Sequence, residues 1–151
     1  MCHKNAYMFS KACEYAIRAT IYIARQSMEG LRASLTDISH EIDSPVAFTS
    51  KILQQLVKAE IIYSTRGQTG GFYMEAAKMD HLSVAGIVTA IDGDAVYTEC
   101  GLGLKECSGS IPCPVHDKFV EIRNSLKRVL ESTNVASLAK GLKNGDTCLK
   151  R

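Results

Sequence analysis

The sequence lacks any long apolar run. None of its uninterrupted apolar stretches approaches the roughly 20 residues that are needed to span a bilayer. The N-terminal stretch MCHKNAYMFSKACEYAIR also lacks the apolar core of about 7–15 residues that defines a secretory signal. We therefore expect a soluble, cytoplasmic protein with no membrane partner.

A strong excess of charge of one sign is missing as well. The 151 residues carry 18 basic and 16 acidic side chains, which gives a formal net charge of +2. The net positive charge is too small to indicate a nucleic-acid partner by itself. A phosphate-binding surface would therefore have to arise from local placement of basic residues. Hydrophobic residues make up 46% of the chain, which predicts a folded core rather than disorder.

Catalytic motifs are also missing. The sequence contains no nucleophile elbow, no phosphate-binding glycine loop followed by Lys and Ser or Thr, and no H-E-x-x-H. No acid–base or nucleophile constellation is recognisable, and His40 and His81 each stand alone. We therefore expect a binding protein rather than an enzyme.

The first helix that the sequence predicts covers residues 9–26, with Ser10 as its N-cap. Small and apolar residues recur there every three or four positions, which predicts one buried face. That face consists of Cys13, Ala16, Ile17, Thr20, Ile21 and Ala24. We therefore expect Cys13 to serve core packing.

Two more helices follow in the order of a helix-turn-helix. Residues 36–42 predict a short helix capped by Thr36. Ser44 then suits an N-cap and Pro45 the first position of a longer helix that ends near Ala59. The apolar face of this longer helix consists of Phe48, Ile52, Leu53, Leu56 and Val57. Its exposed face is predicted to carry Thr49, Ser50, Lys51 and Gln54.

A β-hairpin is predicted directly after these helices. Two β-prone runs, residues 61–66 and 72–74, flank the glycine-rich stretch Gly67-Gln68-Thr69-Gly70-Gly71. Arg66 stands at the edge of this turn, where it suits a phosphate or a narrow minor groove. The order of helix, short helix, longer helix and hairpin predicts a mainly α fold with a small β-hairpin wing, a winged helix-turn-helix. We assign residues 1–80 to this DNA-binding domain.

Residues 81–151 are predicted to hold a cysteine-containing loop and a dimerisation helix. A short helix over 83–91, capped by Ser83, precedes the loop, and a long helix over 117–133 follows it. The long helix has apolar positions spaced 3, 4 and 3 apart, namely Phe119, Ile122, Leu126 and Val129. This seam predicts a partner helix from a second subunit, and packing onto its own domain is the alternative. A last helix over 134–142 is followed by a tail that we expect to be frayed.

Three cysteines and a histidine lie close together in the loop CGLGLKECSGSIPCPVH. Cys100, Cys107, Cys113 and His116 are separated by six, five and two residues. Thiolate and imidazole ligands suit an iron–sulfur cluster or zinc, although structural zinc usually uses tighter cysteine pairs. In the reducing cytoplasm, a metal site is favoured over a disulfide. A redox disulfide between Cys107 and Cys113 stays open as a further alternative.

These features together resemble the IscR/NsrR-type regulators, bacterial winged-helix transcription factors of which many bind an iron–sulfur cluster. The resemblance covers roughly residues 8–142 and is most specific in LVKAEIIYSTRGQTGGF. It implies a homodimer that binds a double-stranded DNA operator through its recognition helices. It also implies a cluster, whose occupancy or oxidation state controls DNA affinity.

Residue by residue, the resemblance assigns base reading to Thr49 and Ser50 and phosphate contact to the wing. The residues we expect at the DNA are Ser44, Thr49, Ser50, Lys51, Gln54, Arg66, Gly67, Gln68, Thr69, Gly70 and Gly71. The cluster ligands it implies are Cys100, Cys107 and Cys113, with His116 as fourth ligand and Glu14 of the partner's first helix as its rival. The IscR branch holds a 2Fe–2S cluster, which we favour over a 4Fe–4S cluster.

The chain departs from the family pattern at three points. The first cysteine gap holds six residues where many members have five. Ser50 replaces a glutamate that the IscR branch uses for base reading. Glu60 stands where a glycine usually ends the recognition helix, so a left-handed cap is less favourable there. A zinc-stabilised or thiol-redox DNA-binding regulator without a cluster is the alternative function.

Overall fold

The computed structural model describes residues 8–151, so the first seven residues of the predicted N-terminal domain lie outside it. Eight helices and one two-stranded antiparallel hairpin occur in this part of the chain. In chain order they are α1 Lys11–Met28, α2 Leu35–Glu41, α3 Val46–Lys58, β1 Tyr63–Thr65, β2 Gly71–Tyr73, α4 Ala76–His81, α5 Val84–Asp92, α6 Ala95–Thr98, α7 His116–Ser132 and α8 Val135–Lys143. The predicted fold class, mainly α with a hairpin wing, is confirmed.

Helix α1 runs through the centre of the molecule. It begins as predicted at Ser10, whose Oγ accepts a hydrogen bond from the Cys13 amide at 3.1 Å. Of the predicted buried face only Ile17 is partly exposed, and four further residues, Tyr15, Ala19, Tyr22 and Ile23, are buried as well. Burial around most of its circumference means that other elements pack against α1 on several sides.

The helix starts in the helix-turn-helix lie slightly off the predicted positions. Ser34, not Thr36, caps α2, because Ser34 Oγ accepts from the Asp37 amide and the Asp37 carboxylate accepts from the Ser34 amide. At the start of α3, Pro45 is itself the N-cap residue and makes no side-chain cap hydrogen bond. The predicted capping role of Ser44 is therefore wrong, since the helix begins one residue later than expected.

The C-terminus of α3 ends in a left-handed turn without glycine. Glu60 adopts φ +57°, its amide donates to the Val57 carbonyl at 2.9 Å, and the Ile61 amide donates to the Leu56 carbonyl at 3.0 Å. This is a Schellman cap, in which an L residue occupies the position that favours glycine. The cap directs Ile61 and Ile62 into the core, where both are buried.

The wing hairpin pairs Tyr63 with Tyr73 and Thr65 with Gly71. A further segment joins it, because Ala33 and Phe72 exchange two backbone hydrogen bonds of 3.0 and 2.8 Å. The connection between α1 and α2 thus joins the wing through one isolated β-bridge. This tie matters because an isolated two-stranded hairpin is only marginally stable.

One core joins elements on both sides of residue 80. It contains buried residues of α1, α2 and α3 together with Ile87 of α5 and Val135 and Ala139 of α8. A second, smaller cluster packs Cys13 against Val88 of α5 and Leu130 of α7. The division at residue 80 therefore stays a prediction about function, because the two segments share their main core.

The C-terminal tail is docked, so the expectation of a frayed end is wrong. Leu149 packs against the main core. Arg18 of α1 donates to the Ile42 carbonyl at 2.9 Å and to the Leu149 carbonyl at 3.3 Å, and Lys150 Nζ donates to the His40 carbonyl at 2.9 Å. One apolar residue of the tail and two cations thus hold the tail next to the end of α2.

Candidate nucleic-acid interface and cysteine loop

The exposed face of α3 carries three of the predicted DNA-contacting residues. Lys51 and Gln54 are exposed and Ser50 is half-exposed. Gln54 Nε2 lies 3.5 Å from Ser50 Oγ, which places the two side chains one helical turn apart on the same face. These three residues therefore offer one ammonium, one amide and one hydroxyl group to a partner.

Thr49 does not belong to this face, and its predicted placement is wrong. The residue is fully buried, and its Oγ1 donates to the Pro45 carbonyl at 2.9 Å. It precedes the buried residues Ile52 and Leu53 by three and four positions, which puts it on the core side of the helix. Ser44 is half-buried and lies just before the helix, where its side chain does not cap α3.

The wing tip is a tight turn. Arg66, Gly67, Gln68 and Thr69 are exposed, and the Gly70 amide donates to the Gly67 carbonyl at 3.0 Å. A Cβ at Gly70 would lie 2.4 Å from the Thr65 carbonyl oxygen, so only glycine fits there. The turn presents Arg66 at the open end of the hairpin.

A residue that was not among the predicted DNA contacts, Arg32, lies on the face of the wing. Its guanidinium lies 4.4 Å from the centroid of the Tyr73 ring and donates a hydrogen bond to the Thr65 hydroxyl. Arg32 and Arg66 both line an open groove of about 590 Å³ between the α1–α2 connection and the wing tip. Sequence reasoning did not find Arg32 because its partners are remote in sequence.

The cysteine loop connects α6 to α7 and packs on α7. A Cβ at Gly101 would lie 2.7 Å from the Phe119 ring, so the loop backbone lies directly against this side chain. Cys100, Cys107 and Cys113 are half-buried free thiols. Cys100 and Cys107 line a cavity of about 390 Å³. The loop thus holds its thiols near the surface, next to the start of α7.

Within the loop, two of the candidate ligands, Cys107 and His116, lie next to each other. Cys107 Sγ lies 3.5 Å from His116 Nδ1 and accepts a hydrogen bond from Arg123 Nη2 at 3.1 Å. The backbone amides of Leu102 and Leu104 are the main reason why the pKa of Cys100 lies below its ordinary value.

The donor set fits an iron–sulfur cluster in its chemistry. Thiolates are the usual cluster ligands, imidazole can replace some of them, and hydrogen bonds to the sulfur atoms are typical of such sites. In residues 8–151 these candidate ligands are not drawn together into a group of three or more metal-binding side chains. Glu14 lies on α1, where its carboxylate pairs with Lys11 at 3.2 Å.

The predicted dimer seam of α7 is only partly covered. Phe119 and Leu126 are half-buried, whereas Ile122 and Val129 are 61% and 58% exposed. Arg123 on the same helix also donates to the Glu99 carbonyl, so α7 is bonded to the segment before the loop as well as to Cys107. The helix therefore has one side attached to the loop and an apolar stripe open to a partner.

No helix in the described part of the chain combines the length and apolar character that a membrane span requires.

Comparison with known proteins places these features in one family. The model of the Rrf2 family, described as an iron-dependent transcriptional regulator, matches residues 9–141. The HTH-type transcriptional regulator IscR of Aliivibrio salmonicida is 26% identical over 124 residues, which are 82% of this chain and 72% of the relative.

Two solved structures share the fold. The CymR global cysteine regulator of B. subtilis superposes with a TM-score of 0.71 at 21% identity, covering 87% of this chain and 95% of that one. The T. potens IscR structure superposes with a TM-score of 0.69 at 18% identity, and the match covers 95% of this chain and 93% of that one.

Proposed function

The chain belongs to the Rrf2 family of transcriptional regulators, and on this premise we propose that it is a cytoplasmic, homodimeric regulator whose affinity for a DNA operator is controlled by an iron–sulfur cluster. The observation that carries the proposal is the attachment of the cysteine loop to α7. Arg123 of α7 contacts Cys107 Sγ and the Glu99 carbonyl. A change at the loop sulfur atoms therefore acts directly on the helix that carries the open apolar stripe.

We assign DNA reading to α3 and to the wing. Ser50, Lys51 and Gln54 are the side chains that α3 offers to base edges and phosphates in a major groove. Arg66 and the glycine-rich tip are suited to the backbone or a narrow minor groove. Thr49 is buried, and it stabilises the first turn of α3 through its hydrogen bond to the Pro45 carbonyl.

Cys100, Cys107 and Cys113 would hold the cluster, with His116 as the fourth ligand and Glu14 of a partner subunit as its rival. A bound 2Fe–2S cluster, which we favour over 4Fe–4S, supplies sensitivity to redox state, nitric oxide or iron supply. His116 is the preferred ligand because its Nδ1 already lies 3.5 Å from Cys107 Sγ.

The chain's own residues supply the coupling between the loop and the DNA-binding elements. Phe119 supports the loop backbone at Gly101, and Arg123 fixes Cys107 and the segment before the loop. Leu126 and Leu130 of the same helix pack against the smaller core cluster, which includes Cys13 of α1. Movement of α7 is thus transmitted to α1, the central helix. Regulation requires that the two loop states differ in free energy of DNA binding.

The test is anaerobic purification followed by iron, sulfide and zinc analysis and visible spectroscopy. We expect iron and sulfide with visible absorbance in the unmodified protein, and loss of most of that absorbance in Cys107→Ala. Cys148→Ala is the matched control, because Cys148 is an exposed thiol in the tail. A colourless protein that binds one zinc per chain would overturn the cluster assignment.

A zinc-stabilised or thiol-redox regulator is the second candidate, and the half-buried free thiols of Cys100 and Cys113 favour the thiol-redox form. Hydrogen peroxide would oxidise the two thiols to one disulfide and be reduced to two waters. Peptide mapping by mass spectrometry after peroxide treatment distinguishes a Cys100–Cys113 bond from the Cys107–Cys113 bond that the sequence suggests.

A further inference from the structure

We propose that Arg32 and Arg66 form a phosphate-binding pair on the wing, with the backbone of double-stranded DNA as its ligand. This inference rests on the proposed DNA-binding function and extends it to a residue outside the helix-turn-helix and the wing hairpin. It assigns a binding role to the connection between α1 and α2. The contact would be independent of base sequence, because phosphate groups carry no sequence information.

The wing holds Arg32 in a defined position. Its guanidinium stacks on Tyr73 at 4.4 Å and donates to the Thr65 hydroxyl, so it contacts both strands of the hairpin. Gly71 makes room for it, since a Cβ at Gly71 would lie 3.3 Å from Arg32 Cβ and 2.8 Å from the Ala33 carbonyl oxygen. A stacked, hydrogen-bonded arginine loses less side-chain entropy when it binds a phosphate than a freely moving one.

The charge of the two arginines is available to a ligand. Both side chains are exposed, and neither takes part in the ion pairs that occur among residues 8–151. Apart from these two arginines, the described residues that line the groove are uncharged. The groove is therefore a local basic site in a chain with a net charge of only +2.

The chemistry of the pair favours a phosphodiester backbone. A guanidinium presents five N–H donors in a planar fork, and only one Arg32 nitrogen is engaged, with Thr65. The groove is continuous with the wing tip, because Arg66, Gln68, Thr69 and Gly70 line it too. A DNA strand that contacts the tip therefore lies beside Arg32.

The salt dependence of DNA binding tests the pair. The probe is a fluorescein-labelled mixed-sequence duplex of about three helical turns, and binding is followed by fluorescence anisotropy over a series of KCl concentrations. For Arg32→Ala we expect about three- to tenfold weaker binding at low salt, and a salt slope smaller by about one for each subunit on the duplex. Arg32→Lys keeps the charge but loses the planar fork, so its affinity should lie between those of the unmodified protein and Arg32→Ala.

Lys118→Ala is the matched control, because it removes one exposed charge from the start of α7, and it should bind like the unmodified protein. Circular dichroism checks the fold, and Arg32→Gln replaces Arg32→Ala if the latter does not fold. An Arg32 variant with unchanged affinity and unchanged slope overturns the proposal while DNA binding itself stands. Failure of the unmodified protein to bind the duplex at low salt overturns both this inference and the proposed function.

Discussion

Arg123 joins the cysteine loop to α7 by hydrogen bonds. Its two terminal nitrogens reach Cys107 Sγ and the Glu99 carbonyl, so one guanidinium links the middle of the loop and the segment before it to α7. Arg18 does the same on the other side of the molecule, where it links α1 to Ile42 and to Leu149. In both places a single planar cation joins its own helix to two backbone or side-chain acceptors in other segments.

Cys13 has a different role from the loop cysteines. Burial first, and the nearby Asp92 carboxylate second, raise the pKa of its thiol from an ordinary value of 9.0 to about 12. The folded protein thus keeps this thiol neutral at pH values where the unfolded chain has lost the proton. The contribution of the neutral Cys13 thiol to the free energy of unfolding is therefore complete below pH 9.0, and it is lost as the pH rises towards 12.

Replacing Cys13 by Ala should therefore change how stability depends on pH. We expect a loss of about 1 kcal/mol near neutral pH from the smaller side chain. Above pH 9 the unfolding free energy of the unmodified protein should fall more steeply than that of Cys13→Ala, by up to about 1.4 kcal/mol per pH unit. Urea unfolding at several pH values measures both effects. Cys148→Ala should follow the unmodified protein, and equal slopes for all three proteins would contradict the assignment.

At the scale of elements, α3 ends with a non-glycine residue in a left-handed backbone conformation that favours glycine. Glu60 occupies a left-handed conformation with φ +57° because the Schellman cap must turn the chain towards Ile61 and Ile62. A residue with a Cβ is strained there, whereas glycine is not. The cap is nonetheless formed, because burial of the two isoleucines outweighs this strain.

Glu60→Gly should stabilise the protein. Relief of the left-handed strain is worth about 1 kcal/mol, from which the greater flexibility of glycine in the unfolded chain subtracts a part. Ala59→Gly is the matched control, because Ala59 has φ −80° and gains nothing from glycine, so this variant should be less stable. Urea unfolding compares the three proteins, and a Glu60→Gly variant that is less stable than the unmodified chain would contradict the interpretation.

The elements that the sequence predicts well are those with local signals. Ser10 and Ser83 cap α1 and α5 as expected, and the glycines mark the hairpin turn. The short helices α4 and α6 were not predicted, because neither has a side-chain cap and together they bury only Met79. Periodicity needs more turns than these helices have.

The site was predictable in its composition but not in its geometry. The spacing of Cys100, Cys107 and Cys113 identifies candidate ligands, yet it does not indicate that Arg123 contacts one of them. The sequence places Thr49 on the wrong face of α3 because a polar side chain is expected to be exposed. A threonine hydroxyl can, however, donate its hydrogen bond to a backbone carbonyl of its own helix, and the side chain can then be buried. Arg32 and the docked tail depend on partners that lie far away in sequence, which no local pattern reveals.

At the scale of the whole molecule, α7 leaves an apolar stripe uncovered. Ile122 and Val129 are more than half exposed, while Leu126 between them packs inwards. We expect this stripe to bury itself against the same helix of a second chain, since a self-complementary seam is the simplest way to cover it. Two recognition helices would then be presented to one duplex.

Introducing charge into the stripe should produce a monomer. We expect the double variant Ile122→Glu, Val129→Glu to remain folded, because both side chains are exposed, but to sediment as a single chain where the unmodified protein sediments as a dimer. Asn124→Glu adds a charge to another side of the same helix and should stay dimeric. Sedimentation velocity and light scattering distinguish the two states. A double variant that is still dimeric would contradict the predicted seam.

The pairing of Ala33 with Phe72 has a consequence for insertions and deletions. Gly30 and Leu31 are exposed and resemble an ordinary linker. However, the segment that follows them is held in register by two backbone hydrogen bonds to the wing. Adding or removing one residue just before Ala33 would turn the neighbouring side chains to the opposite face and separate Arg32 from Tyr73. The length of this short connection is therefore constrained far more tightly than its exposure suggests.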